Sequence, residues 1–184
     1  MPVLSSGRAL LDAPAILARA GLVSGMHYAD YGCGPLGHFV FPASEIVGPE
    51  GHVYAVDILK SSLAAIESRI KIEVVNNISV IWGDFERMGG VAVSPDSMHM
   101  ISVVNIVPVL IRSKNAIEEI RRALRADGML LLVDWKKEKT VLGPPIEHRV
   151  DSTETQLVLA RGGFQLKNAF EAGPYHWAQV FVRV

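Results

Sequence analysis

The sequence predicts a doubly wound α/β fold: a mostly parallel, seven-stranded sheet ending in an antiparallel hairpin. Three observations predict it. Short apolar runs alternate with amphipathic stretches about five times along the 184 residues, the signature of strand–helix units that cover both faces of a parallel sheet. A glycine-rich stretch, DYGCGPLG at 30–37, directly follows the first of these runs. Near the end, FQLKNAF and HWAQVFVRV are separated only by GPY and its neighbours. That gap is too short for a crossover helix, so these two strands must pair antiparallel.

The elements follow in order. DAPAILARAGL (12–22) reads as a short helix, with Pro14 in its first turn and Gly21 at its end. HYADY (27–31) is a strand that runs into the glycines, and a helix is expected around 36–47, where Pro42 must start, kink or interrupt it. GPEG (48–51) is a turn before a strand over 52–58 that ends at Asp57. Ser61 or Ser62 then caps a helix carrying Leu63, Ile66 and Ile70 at helical spacing. ISVIW (78–82) is a third strand closed by Gly83-Asp84, and MHMISVVNI (98–106) is a fourth. Ser113 caps a helix with Ile117, Ile120 and Leu124 inward and Glu118, Glu119, Arg121, Arg122 and Arg125 toward water, stopped by Gly128. MLLLVDW (129–135) is so apolar that it must be covered on both faces. Asp151 and Glu154 stand at capping-box spacing before a helix bearing Leu157, Val158 and Ala160, which ends at Gly162-Gly163.

Composition narrows the function classes. A net charge of −1 offers no general attraction to nucleic acid or anionic membrane. Cys33 is the only cysteine, so no internal disulfide forms. The N-terminus lacks the pattern of a signal peptide, and the longest apolar run, 101–111, is too short to span a bilayer. A cytoplasmic location without membrane contact is expected, and no metal site.

In a sheet of this kind ligands bind at the carboxyl ends of the strands. Gly32 and Gly34 stand there, and bare backbone at that point lets the chain turn tightly against a ligand. The alternative is a tight turn with no ligand. Asp57 ends the neighbouring strand, where a carboxylate can accept from both hydroxyls of a ribose or cap the next helix. The same glycines and acid also describe a nicotinamide-dinucleotide site. Against it stand the lack of room for a second lobe, the absence of a Tyr-x-x-x-Lys pair, and the terminal hairpin.

Five segments in this order, YADYGCGPLG, GPEGHVYAVDI, VIWGDFE, LRADGMLLLVDW and ARGGF, resemble the class I S-adenosylmethionine-dependent methyltransferases, in particular the small bacterial and archaeal methyltransferase-domain type. The resemblance covers nearly the whole chain and implies one Rossmann-like methyltransferase domain over 1–184, with S-adenosylmethionine as cofactor. It implies that Asp30 organises the methionine end and that Gly32, Cys33 and Gly34 pass under the cofactor. Asp57 would hold the ribose, Ile58 the adenine, Asp84 the adenine amino group and Phe85 the ring. Asn105 would border the transferring methyl. Leu36 stands where the family carries its third glycine, and VVNIVPVLI replaces the histidine often found after the fourth strand.

The acceptor is not legible. No Asn/Asp-Pro-Pro-aromatic run follows the fourth strand, and no carboxylate set suits a Mg²⁺-catechol site. Asp134, at the end of the fifth strand, is a lone acid, read as structural before ligand. Trp135, Lys136 and His148 lie where this fold builds its acceptor wall and are the substrate-side candidates. His38 is read as helix surface before site, and His27, His52, His99 and His176 as structural or surface groups. A small-molecule acceptor is favoured over a macromolecule, and Val107, Leu110 and Ile111 serve either a homodimer or the core. Three readings stand: a methyltransferase, a non-catalytic domain binding S-adenosylmethionine or its demethylated product, and, less favoured, a nicotinamide-dependent oxidoreductase.

Overall fold

The structure is a computed structural model, and it describes residues 10–184. Helix α1 (Ala13–Ala20) is capped by the Asp12 carboxylate, which accepts from Ala15 N at 3.2 Å, and ends at left-handed Gly21. Strand β1 (His27–Tyr31) leads through the glycine loop to α2 (Val40–Val47). Pro42 is the third residue of α2, where its missing donor is one of the first four that a helix leaves without an internal partner, so the helix accommodates it. Strand β2 (His52–Asp57), helix α3 (Lys60–Glu73) and strand β3 (Ile78–Trp82) follow as expected. The start of α3 differs from the sequence reading: neither serine caps it and no side chain does, while Asp57 Oδ1 accepts from the N–H of Leu59, the residue just before the helix, at 2.8 Å.

Strand β4 (Met98–Val104) is shorter than expected, because Asn105 turns out of it with a left-handed φ of 60°. The residues just beyond form a helix that the sequence reading missed, α4 (Val107–Arg112), with Pro108 in its first turn. Val107 and Leu110 are fully buried there, so core packing, not a dimer face, accounts for them. Ser113 caps α5 (Lys114–Ala123), accepting from Ala116 N at 3.2 Å. The chain leaves the helix at Leu124, before Gly128, and continues as β5 (Leu124–Trp135), whose pairing with β4 is irregular between Met98 and Met100.

Two residues expected to face water do not. Glu119 is fully buried: it pairs bidentately with Arg122 (2.6 and 2.8 Å) and accepts from Gly89 N at 2.7 Å. Arg122 also donates to the Val91 and Val93 carbonyls. The pair therefore clips the long 83–97 loop onto α5.

Asp151 caps α6 (Ser152–Arg161) through Thr153 N at 2.7 Å. The buried stripe of α6 is Thr155 and Leu159, whereas Leu157 is exposed. Strands β6 (Phe164–Glu171) and β7 (His176–Arg183) form the antiparallel hairpin, and β7 inserts between β5 and β6. The seven-stranded sheet has the order β3-β2-β1-β4-β5-β7-β6. One hydrophobic layer packs beneath α1, α2 and α3, around Leu17, Phe41 and Ile66. The other packs beneath α4, α5 and α6, around Leu110, Ile120 and Leu159. Sequential β–α units thus bring the carboxyl ends of β1 to β4 to one rim. The strand order reverses there, between β1 and β4.

Candidate functional site: a carboxylate-lined groove at the sheet's carboxyl rim

Two adjoining clefts share Gly32, Gly34 and Pro35. The larger, about 460 Å³, is bounded by Asp57, Ile58, Asp84, Phe85, Ile106 and Val109 among others. The smaller, about 230 Å³, is bounded by Asp30, Cys33, Leu36, His38 and Asn105 among others. All nine residues named above for the cofactor line one or both of these clefts. Trp135, Lys136 and His148 line neither. The Trp135 ring packs over Gly143 and 4.1 Å from the His176 ring centroid, Lys136 Nζ pairs with the Glu171 carboxylate, and His148 is exposed in a 3-10 turn at Ile146–His148.

The glycine loop is stitched to β2. Gly32 N and Cys33 N both donate to Val56 O (2.8 and 3.0 Å), and Gly34 N donates to Asp57 Oδ2 at 2.9 Å. A dinucleotide site of the Rossmann kind turns such N–H groups, and the N-terminus of the following helix, onto a pyrophosphate. Here those three donors are consumed internally, and α2 begins only at Val40. Gly32 has a φ of +79°, and a Cβ there would overlap Ile106 Cδ1, so this glycine permits the close approach of the residue that leads into α4. Gly37 has a different task. Its φ is +56°, and a Cβ would lie 2.6 Å from Ile66 and 2.8 Å from Phe41. It lets the loop pass between α2 and α3, while Leu36 projects into solvent at 75% exposure.

Among the described residues, the charges lining the groove are of one sign: Asp57, Asp84 and Glu86 line the larger cleft and Asp30 the smaller, with no described lysine or arginine in either lining. Asp30 is buried and accepts from Ser102 Oγ at 2.7 Å, and Ser102 is hydrogen-bonded to Tyr28. Burial pushes its pKa up to about 7; the Ser102 hydrogen bond opposes this, and the neighbouring Asp57 adds to it. Burial, with Asp30 and Asp57 nearby, also raises the Cys33 thiol well above its ordinary range. Cys33 is therefore a neutral packing group and no nucleophile. Asp84 faces Arg87 at 3.2 Å, and its Oδ1 accepts from Glu86 N. Asp134 is buried and accepts from Val107 N (2.9 Å) and Trp135 N (2.7 Å). It anchors the start of α4, and burial raises its pKa to about 6.

The sequence reading missed several groups. Ile106 and Val109 were missed because α4 was not recognised; the signal was Pro108 with Val107 and Leu110 three apart. For His38 the sequence left a site-facing position open beside the favoured helix surface, and it lines the smaller cleft, with Nε2 2.9 Å from Leu11 O. Arg149, buried, donates to the carbonyls of Pro144, Lys136, Glu138 and Leu142 at 2.7–3.0 Å and straps the segment after β5.

This geometry fits an elongated ligand with a cationic end and no phosphate. Comparison with known proteins agrees. Residues 22–173 match the family model described as "Methyltransferase domain". Comparison with curated proteins finds no match. Among solved structures, a SAM-dependent methyltransferase from Aquifex aeolicus is 25% identical, with a TM-score of 0.90 over 98% of this chain and 94% of that one. A putative type 11 methyltransferase from Sulfolobus solfataricus (24% identity, TM-score 0.70, 85% and 82% covered) shares the fold. So does an S-adenosylmethionine-dependent methyltransferase from Mesorhizobium loti (16% identity, TM-score 0.71, 92% and 96% covered). The chain belongs to the methyltransferase-domain family and is an S-adenosylmethionine-dependent methyltransferase.

Proposed function

We propose that the chain is a cytoplasmic, single-domain enzyme that methylates a small acceptor without phosphate groups, with the cofactor's adenosine in the larger cleft and its methionine end in the smaller one. The observation that carries this reading is the groove's charge: four carboxylates, no lysine or arginine among the described residues that line it, and a glycine loop with three of its N–H groups already bonded within the chain. Such a lining favours a sulfonium and an ammonium and disfavours pyrophosphate. It also offers nothing to hold a nucleic-acid backbone, whose affinity rests on cations.

When bound, the cofactor supplies a methyl group already activated for displacement, so the chain's part is orientation and exclusion of water. Asp57 accepts one backbone bond at each oxygen and keeps a lone pair on each for the ribose hydroxyls. Ile58, more than half exposed beside the larger cleft, and Phe85 supply the apolar walls for a planar base. Asp84 keeps acceptor capacity for an exocyclic amine. Asp30, ionised by an approaching cation, would fix the methionine end. Asn105, exposed at the tip of β4, stands at the lip where an acceptor enters.

Calorimetric titration with S-adenosylmethionine, its demethylated product and NADH tests the cofactor assignment. Binding of the first two without NADH is expected. Asp57→Ala should weaken both at least about tenfold, the loss of hydrogen bonds to a charged acceptor. It should also lower stability, because Gly34 N and Leu59 N lose their partner. NADH binding alone, or unchanged affinity in the variant, overturns the assignment. Transfer of labelled methyl into small-molecule, RNA and protein pools tests the acceptor, and labelling confined to RNA or protein overturns the small-molecule reading.

A further inference from the structure

A second cavity lies on the other side of α4 and α5, against α6. It measures about 580 Å³ and shares no lining residue with the cofactor clefts. Its charge is opposite to theirs. Arg112 ends α4, Lys114 starts α5, Arg121 stands in the last turn of α5 and Arg161 ends α6, and all four line the hollow. The single carboxylate among the lining residues, Glu118, already faces Lys114 at 3.4 Å. Arg112 and Arg161 have no carboxylate partner among the described residues, and residues 1–9 contain no acid to supply one. Arg121 donates at 3.1 Å to an oxygen of Val184, the final residue, whose carboxylate meets part of its charge, and it packs against Gly163, where a Cβ would lie 3.0 Å from its Nε. The walls between the charges are apolar: Ile111, Ile117 and Val158.

Cations at helix ends complement the helix dipole, and that alone accounts for one arginine per helix. It does not account for three helix ends converging on one hollow with an apolar lining. Arg112 and Arg161 each carry a full charge against the half charge of the helix end they cap, so the hollow remains positive in a chain of net charge −1. Planar guanidinium forks match phosphate oxygens bidentately, and a cavity of this size accommodates one small molecule, not a strand of nucleic acid.

We propose that this hollow is a second ligand site, distinct from the methyl-transfer groove, for a small molecule carrying a phosphate or pyrophosphate group on an apolar body. Arg112, Arg121 and Arg161 hold the anion, and Ile111, Ile117 and Val158 pack the body.

The test uses sodium pyrophosphate as probe, with the demethylated cofactor product saturating the first groove. Calorimetry at low salt should show pyrophosphate binding to the wild type. In Arg112→Gln/Arg161→Gln the affinity should fall at least about tenfold, as expected for charged hydrogen bonds, with affinity for the cofactor product unchanged. Arg161→Glu, a change at one exposed position, should show the same loss and serves should the double variant fold poorly. Absence of pyrophosphate binding, or equal binding by wild type and Arg161→Glu, overturns the proposal. So does arginine-dependent binding of a single-stranded RNA 20-mer with none of pyrophosphate, which would make the surface a nucleic-acid contact.

Discussion

Replacing Asp30 by Asn should make the protein more stable at alkaline pH while impairing it as an enzyme. The Asp30 carboxyl is buried, its chief partner is the Ser102 hydroxyl, and burial drives its pKa from 3.8 to about 7. The folded state therefore keeps a proton that the unfolded chain releases near pH 4. Where the folded state binds more protons than the unfolded one, stability falls as pH rises. Asp30 thus destabilises the fold progressively between about pH 4 and pH 7, by roughly 4 kcal/mol in all. Roughly 3 kcal/mol of this falls between pH 5 and pH 8. Asp134, raised to about 6, acts with the same sign. His176 acts oppositely: burial lowers it to about 4, so stability is lost as pH falls from about 6.5 toward 4. The wild-type profile is a sum of such contributions, and the difference between variant and wild type isolates Asp30. Urea denaturation at pH 5 and pH 8 measures it. The stability advantage of Asp30→Asn over the wild type should grow by about 3 kcal/mol between pH 5 and pH 8, with weakened binding of S-adenosylmethionine at pH 8. Parallel pH profiles for the two proteins would refute this reasoning, because they would mean that Asp30 titrates normally in the fold.

Three further outcomes follow from the same geometry. Glu119→Ala leaves Arg122 unpaired beneath the 83–97 loop and should cost about 3 kcal/mol, near 10 °C in Tm; a Tm no lower than that of Glu118→Ala, which removes an exposed neighbour, would contradict this. Gly37→Ala imposes a left-handed conformation on alanine and crowds Ile66 and Phe41, costing at least about 1–2 kcal/mol in urea denaturation; an unchanged midpoint would show that the loop relaxes freely. Arg149→Ala removes four carbonyl bonds from the segment after β5, so trypsin should cut at Lys136–Lys139 faster than in the wild type, and equal cleavage rates would show that the strap is dispensable.

The β–α alternation, the glycine bend and the acids at the tips of β1, β2 and β3 were legible because each rests on near neighbours: side-chain period, turn chemistry, and the position of a polar residue at the end of an apolar run. The start of α3 was misread because two serines stood at the expected spacing, but the helix begins at Lys60, ahead of both, and Asp57 fixes only the N–H of the preceding Leu59. Helix α4 was misread because its apolar residues continue those of β4 without a break; only the left-handed turn at Asn105 and the bond from Val107 N to Asp134 separate strand from helix.

What the sequence determined by itself was the alternation of elements, the pairing of the last two strands as a hairpin, and the carboxylates available at the rim. What the tertiary structure decided was everything that joins distant segments. It placed β7 between β5 and β6 and buried Glu119 against a loop thirty residues away. It also turned Asp57 onto the glycine loop and gathered three arginines, on α4, α5 and α6, around one hollow. The physical reason is that a residue's periodicity records which face it occupies, whereas its partner is chosen by which other elements the sheet order brings alongside.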